Sequence, residues 1–499
     1  MTKASSRRRF LVQAGVLSAA AAAGRTAVAA NDTIEAAVLG CGVRGDVHAD
    51  QLADRHGCRV RWVCDPDRSR AEKLADRVEK RQGVKPEIAI DLRKVFDDKS
   101  LDVVAVATPN HWHALAAIWA MQAGKDVYVE KPVSHSIEEG RRMVQVARRH
   151  GRICQVGTQA RSLACLHEAK KFLADGGIGP VRLARAVYCR HRKPIGGPGS
   201  FPPPEGVDYD LFCGPSPLEA LTRPNFHYDW HWFWSTGDGE LGNNGIHMLD
   251  VIRLLLGLEG PGEATISFGT RAGYHDAAET PHTQTSITLF PKVALVTEIC
   301  GLEKATPIDG TSLGIVLHGA EGTLHLKPQA TEAVVRDPAG AVVRTIIAPA
   351  RALVADHAAN QVVDHVTDHF GNFIAAVRSR DAATLAADID QGRQSTALCH
   401  LGNMSYRLGS DLSFADVQAA LATRPFADDP ATLVNRMRGT LEANGCMPAT
   451  NMIRCGTWVE TVPAAGRGTE EVGVARDPRA AALERLVYRD PFRLPSENA

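Results

Sequence analysis

The sequence predicts an α/β protein in which a doubly wound parallel sheet is followed by a second α/β domain with a mostly antiparallel open sheet. Three observations support this prediction. Apolar strand-like runs alternate with helical runs from residue 33 to about residue 157. A glycine-rich turn follows the first of these runs. Between residues 281 and 346 the pattern changes to short alternating segments separated by turns.

The first half of the chain alternates regularly between the two kinds of run. The strand-like runs are TIEAAVLG (33–40), CRVRWVCD (58–65), PEIAI (86–90), LDVVAVATP (101–109), DVYVEKP (126–132) and RICQVG (152–157). Helical patterns separate most of them, such as DRSRAEKLADRVEKR (67–81) and WHALAAIWAMQAG (112–124). This alternation predicts βαβ units, and therefore a parallel sheet buried on both faces.

The second half has a different character. The segments PHTQTSITLF (281–290), KVALVTEICGLE (292–303), GIVLHGAEGTLHLKP (314–328) and AVVRDPAGAVVRTI (333–346) are typical of antiparallel strands joined by turns. We therefore predict three structural regions after a leader: a nucleotide-binding domain over 31–157, a substrate and oligomerisation domain over 158–410, and a C-terminal extension over 411–499.

The first 30 residues have the features of an export signal. Three arginines, Arg7 to Arg9, precede an alanine-rich apolar run that ends in small residues near Ala29. The order Ser-Arg-Arg-Arg-Phe-Leu resembles a twin-arginine signal, which exports folded proteins. The apolar run is too short to span a bilayer. We expect a periplasmic or secreted protein with no membrane insertion after cleavage.

Composition narrows the class of function. Lysine plus arginine equals aspartate plus glutamate at 57 each, so no global charge favours nucleic acid. The 11 cysteines contain no CxxC spacing, which argues against a disulfide framework or a zinc site, and we expect mostly buried thiols. No metal site is predicted.

The motif GCGVRG, Gly40 to Gly45, predicts a dinucleotide site because it ends a strand and opens a helix. Gly40 permits the tight turn, Gly42 lets the backbone approach a pyrophosphate, and Gly45 allows the helix to pack closely. Asp65 ends the second strand and would bind the ribose 2′-hydroxyl, which favours NAD over NADP. Together these features indicate a Rossmann domain.

Two further segments lie at the carboxyl edge of the predicted sheet, where open parallel sheets bind ligands. ATPNHWHA (107–114) ends the fourth strand, and Asn110 and His113 can point into the crevice. A metal site formed by His111 and His113 would need a third ligand that the sequence does not offer. YVEKPVSH (128–135) places Lys131 where it could stabilise a deprotonating hydroxyl, unless it is a surface lysine paired with Glu130.

These segments together resemble the Gfo/Idh/MocA family of oxidoreductases over residues 33 to 410. The resemblance rests on GCGVRG, VATPNHWHALAAIWAMQAGKDVYVEKPVS, GTQARS, DYDLFCGP, GNNGIHMLD and HGAEGTLHL. It implies that Lys131 and His247 face the nicotinamide and that Glu130 and Gln159 approach the cofactor. It also implies that the open sheet forms an oligomer contact, as a dimer or a tetramer. The expected cofactor-binding residues are Gly40, Gly42, Val43, Arg44, Gly45, Asp65, Thr108, Pro109, Asn110, His113, Glu130, Lys131 and Gln159.

The stretch GELGNNGIHMLD (239–250) predicts a helix with Asn243 or Asn244 as its N-cap. Asp250 follows His247 by three residues, where its carboxylate could fix the imidazole tautomer. We expect His247 to take a hydroxyl proton during hydride transfer while Lys131 steadies the oxygen. Many relatives carry aspartate at position 243, and an asparagine cannot relay a proton.

Two features indicate a carbohydrate substrate. Tryptophans alternate in HYDWHWFW (227–234), and Trp230 could stack on a sugar ring, although alternating tryptophans are equally typical of a core. Arg161 could bind hydroxyl or carboxylate groups, and Asn243 and His247 complete the expected substrate contacts. The sequence therefore predicts an exported sugar or polyol oxidoreductase with tightly bound NAD. The alternatives are an NAD-dependent glycoside hydrolase and a sugar-binding protein without activity.

Overall fold

The structure is a computed structural model that describes residues 33–327, 332–347, 368–463, 472–474 and 477–495. The predicted export signal, residues 1–30, lies outside the described residues, so export stays a prediction. Within the described ranges no helix is both long and apolar enough to cross a membrane.

The first domain is built on a six-stranded parallel sheet in the order β3-β2-β1-β4-β5-β6. Its strands are β1 (Ile34–Leu39), β2 (Cys58–Cys64), β3 (Glu87–Ala89), β4 (Val103–Val106), β5 (Asp126–Val129) and β6 (Cys154–Val156). Its helices are α1 (Val43–Leu52), α2 (Arg68–Gln82), α3 (Leu92–Phe96), α4 (Asn110–Gln122) and α5 (Ile137–Arg149). The order reverses between β1 and β4, and this switch point is where such sheets bind ligands.

Local sequence explains where these elements begin and end. The central strands β1 and β4 are rich in alanine and valine, and their residues are divided between the cores on the two sheet faces, as a parallel sheet requires. Asp67 caps α2 by accepting hydrogen bonds from the backbone N–H groups of Ser69 and Arg70. Gly83 ends the same helix in a left-handed conformation, with φ of 78°. The predicted parallel sheet is confirmed.

The second domain is built on a twelve-stranded sheet whose pairs are antiparallel except for β7 and β10. The main path runs β14-β13-β12-β11-β7-β10-β9-β8-β16-β15, and β17 joins β8 and β18. The strands are β7 (Val181–Cys189), β8 (Ala264–Thr270), β9 (Thr283–Leu289), β10 (Ala294–Cys300), β11 (Leu313–Gly319), β12 (Gly322–Leu326), β13 (Glu332–Arg336), β14 (Val342–Ile347), β15 (Ser410–Ser413), β16 (Met452–Cys455), β17 (Val459–Pro463) and β18 (Val472–Val474).

The helices of the second half lie on both faces of this sheet and on the first domain. They are α6 (Ala164–Ala174), α7 (Tyr209–Cys213), α8 (Ile246–Leu256), α9 (His369–Ser379), α10 (Ile389–Leu408), α11 (Phe414–Ala422), α12 (Pro430–Ala443) and α13 (Pro478–Leu483). Helices α6, α8 and α10 pack on the inner face, where Leu249, Leu295 and Leu398 belong to one buried core. This face carries α8, and with it His247, toward the first domain.

The outer face is covered by the chain's own C-terminal region. Val417 of α11 and Leu433 of α12 are fully buried against Phe268 and Val296 of the sheet. A buried arginine on β7 adds a charge cluster under α12, through ion pairs from Arg185 to Glu298, Asp309 and Asp428. Residues 411–463 therefore complete the second domain rather than form a separate unit.

The covered sheet face is relevant to the predicted contact between copies of the chain. The sheet face that the resemblance assigns to an oligomer contact is occupied over β7 to β10 by α11 and α12 of the same chain. A contact between copies on this face could therefore not use the part over β7 to β10. The homo-oligomer stays a prediction.

Two late segments of the chain pack on the first domain. Phe370 and Phe373 of α9 pack into the core of the first domain, and Phe370 stacks on Tyr128 at a ring distance of 4.0 Å. Near the C-terminus, Phe492 packs edge-to-face on Trp112 of α4 at 5.4 Å. The predicted domain limits at 157/158 and 410/411 divide the chain by sequence order alone. The core of the first domain also contains these later residues.

Candidate active site

A cleft of about 500 Å³ runs along the carboxyl edge of the parallel sheet and under the second domain. All but one of the predicted cofactor residues line it, the exception being Gly45, and so do the predicted substrate residues Trp230, Asn243 and His247. The predicted residues Arg161 and Asp250 do not. The cleft is of a size typical of small-molecule sites.

The glycine-rich turn at one end of the cleft has the shape that a pyrophosphate requires. Gly40 has a φ of 86°, and a Cβ there would meet the carbonyl oxygen of Ala107 at 2.5 Å. A Cβ on Gly45 would collide with the Gly40 carbonyl. A Cβ on Gly42 would instead meet only the end of the Arg70 side chain, at 3.1 Å. The backbone of Gly42 therefore faces open space at the start of α1, and the residues present fit a dinucleotide.

Asp65 lies beside this turn at the end of β2. Its carboxylate accepts hydrogen bonds from the backbone N–H groups of Cys41 at 2.7 Å and of Asp67 at 2.8 Å. Burial raises the pKa of Asp65 to about 6. The carboxylate is thus held rigidly on the wall of the cleft, where the motif places a ribose. Arg70, which sequence reasoning missed, lines the cleft beside it.

Glu130 forms the floor of the cleft. Its Oε1 accepts hydrogen bonds from Nη2 of Arg44 at 2.6 Å and from Nε2 of Gln159 at 3.3 Å, and Nε2 of His48 lies at 3.0 Å. Burial alone would raise the pKa of Glu130, but Arg44 and His48 hold it well below its usual range. A Cβ on Gly157 would meet this carboxylate at 2.8 Å. The Glu130 carboxylate therefore holds the side chains of Arg44, His48 and Gln159 in place at the cleft.

Lys131 reaches from the end of β5 to the second domain. Its Nζ donates to the backbone carbonyl of Asn243 at 2.6 Å and lies 3.4 Å from Oδ1 of the same residue. Burial lowers the pKa of Lys131 to about 8. This ammonium group remains largely charged at neutral pH yet is poised close to titration, unlike a surface lysine paired with Glu130.

The segment that Lys131 contacts is not the predicted helix start. The helix already begins at Gly239, and residues Leu241–Gly245 form a single π-helical turn before α8. Neither Asn243 nor Asn244 caps it by a side chain, so the N-cap prediction is wrong. The widened turn perturbs the helical ladder next to the Asn243 carbonyl that Lys131 engages, and such turns recur at functional sites.

His247 follows this turn and lines the cleft. Burial lowers its pKa to about 3, and the nearby charge of Lys131 contributes to the shift. The imidazole is therefore neutral at physiological pH, with a lone pair able to accept a proton. Among the described residues, no hydrogen-bond partner of its ring is found.

Asp250 does not orient His247, which corrects the prediction. Both oxygens of the buried Asp250 carboxylate accept from Nε of Arg161, at 2.9 and 2.8 Å. Its Oδ1 also accepts from Ser395 at 2.7 Å. A buried guanidinium is a stronger partner for a carboxylate than a neutral imidazole is. Asp250 of α8 and Arg161 thus form a buried ion pair, and Arg161 does not line the cleft, so its substrate contact stays a prediction.

The side chains of Asn110 and His113 line the cleft, but hydrogen bonds to neighbouring residues hold them in place. Asn110 donates to Asp238 at 2.8 Å. The ring nitrogens of His113 lie 2.6 Å from the Pro132 carbonyl and 2.8 Å from the Thr108 carbonyl, which ties the ends of β4 and β5 together. Within the described ranges, no three His, Cys, Asp or Glu side chains are placed to hold a metal ion.

Of the three alternating tryptophans, only Trp230 lines the cleft, whereas Trp232 is buried and Trp234 packs against Arg407. His231, beside Trp230, also lines the cleft and was not predicted from the sequence. The His231 ring stacks on Trp230 at 3.6 Å, and its Nδ1 lies 2.6 Å from the Tyr228 carbonyl. Burial lowers the pKa of His231 to about 3. This bond fixes the neutral tautomer with the proton on Nδ1, which leaves Nε2 as an acceptor.

The segment that carries these aromatic residues also covers the other end of the cleft. Val207, Phe212 and Phe226 line the cleft near Asp65. Backbone bonds hold the segment on the first domain, because Asp208 N–H donates to the Pro66 carbonyl at 2.9 Å. A loop of the second domain therefore closes over the part of the cleft nearest the glycine-rich turn.

Comparison with known protein families agrees with this architecture. Residues 34–158 match the profile of the Gfo/Idh/MocA oxidoreductase family for its NAD-binding Rossmann fold. Residues 199–290 match the same family's C-terminal alpha/beta domain. These two regions of the chain are therefore similar to the two domains of Gfo/Idh/MocA oxidoreductases. The first is thus an NAD-binding domain, and the predicted cofactor is confirmed.

The individual relatives are of two kinds, dehydrogenases and glycosyl hydrolase family proteins. A scyllo-inositol 2-dehydrogenase (NAD(+)) from Bacillus subtilis is 33% identical over 147 residues, which cover 29% of this chain and 42% of the relative. A glycosyl hydrolase family 109 protein from Shewanella baltica is 28% identical over 129 residues, covering 25% and 28%. The matches therefore span less than half of either relative's length.

A solved structure supports the fold. Levoglucosan dehydrogenase in complex with NADH and L-sorbose superposes with a TM-score of 0.54 and 18% identity, over 74% of this chain and 97% of that one. At this identity the similarity shows a shared two-domain fold.

Two glycine substitutions separate nucleotide binding from folding. Gly42→Ala should fold, because Gly42 has a φ of −85° that alanine also adopts and its Cβ would meet only a flexible side chain. It should nevertheless weaken NAD binding at least about tenfold, because the methyl group fills the phosphate approach. Gly45→Ala should cost about 1–3 kcal/mol of stability because it overpacks the turn.

The measurements are calorimetric NAD titration and thermal unfolding of both variants. Unaltered NAD affinity in a folded Gly42→Ala protein would contradict the assignment of the phosphate site.

Proposed function

We propose that this protein is an NAD-dependent oxidoreductase that oxidises a hydroxyl group of a sugar or polyol and retains its cofactor tightly. The proposal rests on one observation. Lys131 and His247 line the same cleft as the glycine-rich turn. The similarity to this family and the inositol dehydrogenase relative support the substrate class.

His247 supplies the proton acceptor in this proposal. When bound, NAD supplies the hydride acceptor. The neutral imidazole of His247 takes the proton of the substrate hydroxyl as the carbon–hydrogen bond breaks. Because Asp250 is paired with Arg161, no carboxylate of that helix raises the basicity of His247 through a hydrogen bond.

Lys131 stabilises the developing charge. Its ammonium Nζ already donates to the backbone carbonyl and to Oδ1 of Asn243, which leaves one proton for a substrate oxygen. Asn243 has no acidic proton, so a relay from His247 through residue 243 is absent from the proposed chemistry. The proton leaves through His247 alone.

The covering segment supports tight retention. Residues near Val207 and Phe226 lie over the cleft close to Asp65, so the nucleotide would leave only after this segment moves. Its aromatic residues are themselves packed, with Phe212 and Phe226 rings 4.3 Å apart. A retained cofactor must be restored within each cycle or by a second substrate.

A glycoside hydrolase is the second candidate, in which NAD is reduced and reoxidised within one cycle. The match to a glycosyl hydrolase family 109 protein favours it. So does His231, because elimination of an aglycone needs a second acid or base beside His247, and His231 is a second neutral imidazole in the cleft.

The first experiment is a substrate panel on the purified protein, preceded by mass spectrometry of the nucleotide released on denaturation. The proposal predicts bound NAD(H) and absorbance growth at ~340 nm with a free sugar or polyol, or reduction of a second sugar. Release of nitrophenol from a nitrophenyl glycoside without net NADH would establish the hydrolase instead. Absence of both nucleotide and turnover would contradict both candidates.

The pH profile tests the roles of the two side chains. If the Lys131 cation is required, kcat/KM should fall as pH rises through about 8, since deprotonation removes the charge. His247 stays neutral down to about pH 3, so it should give no acid limb between about pH 5 and 7. Lys131→Arg keeps the charge and should remove the alkaline decline.

Variants give the magnitudes and the control. His247→Ala should lower kcat by about 10²–10⁴-fold and Lys131→Met by about 10²–10³-fold, both with NAD still bound. His275→Ala, at an exposed histidine, is the matched control and should be unchanged. A rate that rises through pH 8 would make Lys131 the base and overturn the assignment.

We also propose export by the twin-arginine route, on the basis of residues 6–11. Arg7→Lys together with Arg8→Lys should leave the full-length precursor in the cytoplasm, whereas the unaltered chain should be found, shortened by about 30 residues, in the periplasm or medium. Cell fractionation and N-terminal sequencing measure this. Unaltered processing of the double variant would contradict the route.

A further inference from the structure

A pair of cysteines lies outside the cleft on the only parallel pair of strands in the described part of the large sheet. Cys189 ends β7 and Cys300 ends β10, and the two are direct partners in the register of these strands. They are 111 residues apart in sequence, so no spacing motif announces them.

The geometry of the pair suits a covalent bond. Neighbouring strands lie about 4.7–4.9 Å apart, and a disulfide needs a Cα separation of about 4.4–6.8 Å. Side chains at paired positions point to the same face of the sheet, and both cysteines contribute to the core under α12. The two thiols lie close enough that each shifts the pKa of the other.

We propose that Cys189 and Cys300 form an oxidation-sensitive thiol pair that a small hydroperoxide converts to an intrachain disulfide. This inference stands independently of the proposed function. Cys300 is the attacking sulfur, because the neighbouring Cys189 thiol lowers the pKa of the Cys300 thiol to about 7. The same interaction, together with burial, raises the pKa of Cys189.

The reaction balances in two steps. The Cys300 thiolate attacks one oxygen of hydrogen peroxide, the O–O bond breaks, and sulfenic acid and hydroxide form. The Cys189 sulfur then attacks the sulfenic sulfur, its thiol proton joins the departing hydroxyl, and water leaves. Two electrons pass from the two sulfurs to the peroxide. Cys300 itself is buried and Cys189 beside it is partly exposed, so the peroxide would reach Cys300 from the Cys189 side.

The site is also linked to the cleft. Arg192 follows Cys189 by three residues, and its Nε donates to Glu240 at 2.9 Å. Glu240 accepts in turn from the side chain of Asn244 within the π-helical turn. The disulfide would therefore form at the end of β7, three residues before the arginine that contacts the helical segment preceding His247.

A third thiol provides the internal control. Cys446 packs in the same core and lies near enough to Cys300 to interact electrostatically. It is not a register partner of either strand. Cys446→Ser should therefore leave the oxidation unchanged, whereas Cys189→Ser and Cys300→Ser should each abolish it.

The experiment treats the whole reduced protein with equimolar hydrogen peroxide, blocks remaining thiols, and maps cross-linked peptides by mass spectrometry. The expected result is a loss of two hydrogens, with residues 189 and 300 in one linked peptide pair and full reversal by a dithiol. A link from Cys300 to Cys446, or oxidation of Cys300 that stops at sulfinic acid, would overturn the proposal. Because the link is mapped in the unaltered protein, misfolding of a serine variant does not affect the test.

Discussion

The site depends on one hydrogen bond between the domains, from the Lys131 ammonium to the Asn243 carbonyl at 2.6 Å. It joins the end of a strand in the NAD-binding sheet to the turn that carries His247. The position of Lys131 between the two domains also buries its charge, and this burial lowers its pKa. The positions of Lys131 and His247 relative to each other follow from this contact more than from either domain alone.

Buried charge organises the surroundings of this contact. Glu130 gathers Arg44, His48 and Gln159 on the first domain, and Asp250 pairs with Arg161 on the second. Both buried carboxylates have cationic partners, and Arg44 and His48 hold the pKa of Glu130 well below its usual range despite its burial. The imidazole of His247 is left without a carboxylate, which suits a base that must stay neutral until the hydroxyl proton arrives.

Sequence reasoning succeeded where function is encoded in local pattern. The glycine spacing, the strand-ending Asp65 and the position of Lys131 follow from βαβ geometry. It failed where a residue's partner lies far along the chain. Asn243 looks like a helix cap, but the helix begins four residues earlier and widens there. Asp250 looks like a partner for His247, but Arg161, 89 residues away, is the better one. Neither the start of this helix nor the partner of Asp250 can be predicted without the tertiary structure. The packing of the C-terminal helices on the sheet cannot be predicted either.

The most direct test of the account is a crystal structure with NADH and whichever hydroxyl substrate the panel identifies. The account predicts that the reacting oxygen lies about 2.6–3.2 Å from both the Lys131 Nζ and a ring nitrogen of His247, with the carbon facing the nicotinamide. A reacting oxygen held by His231 instead, with Lys131 and His247 out of reach, would contradict it.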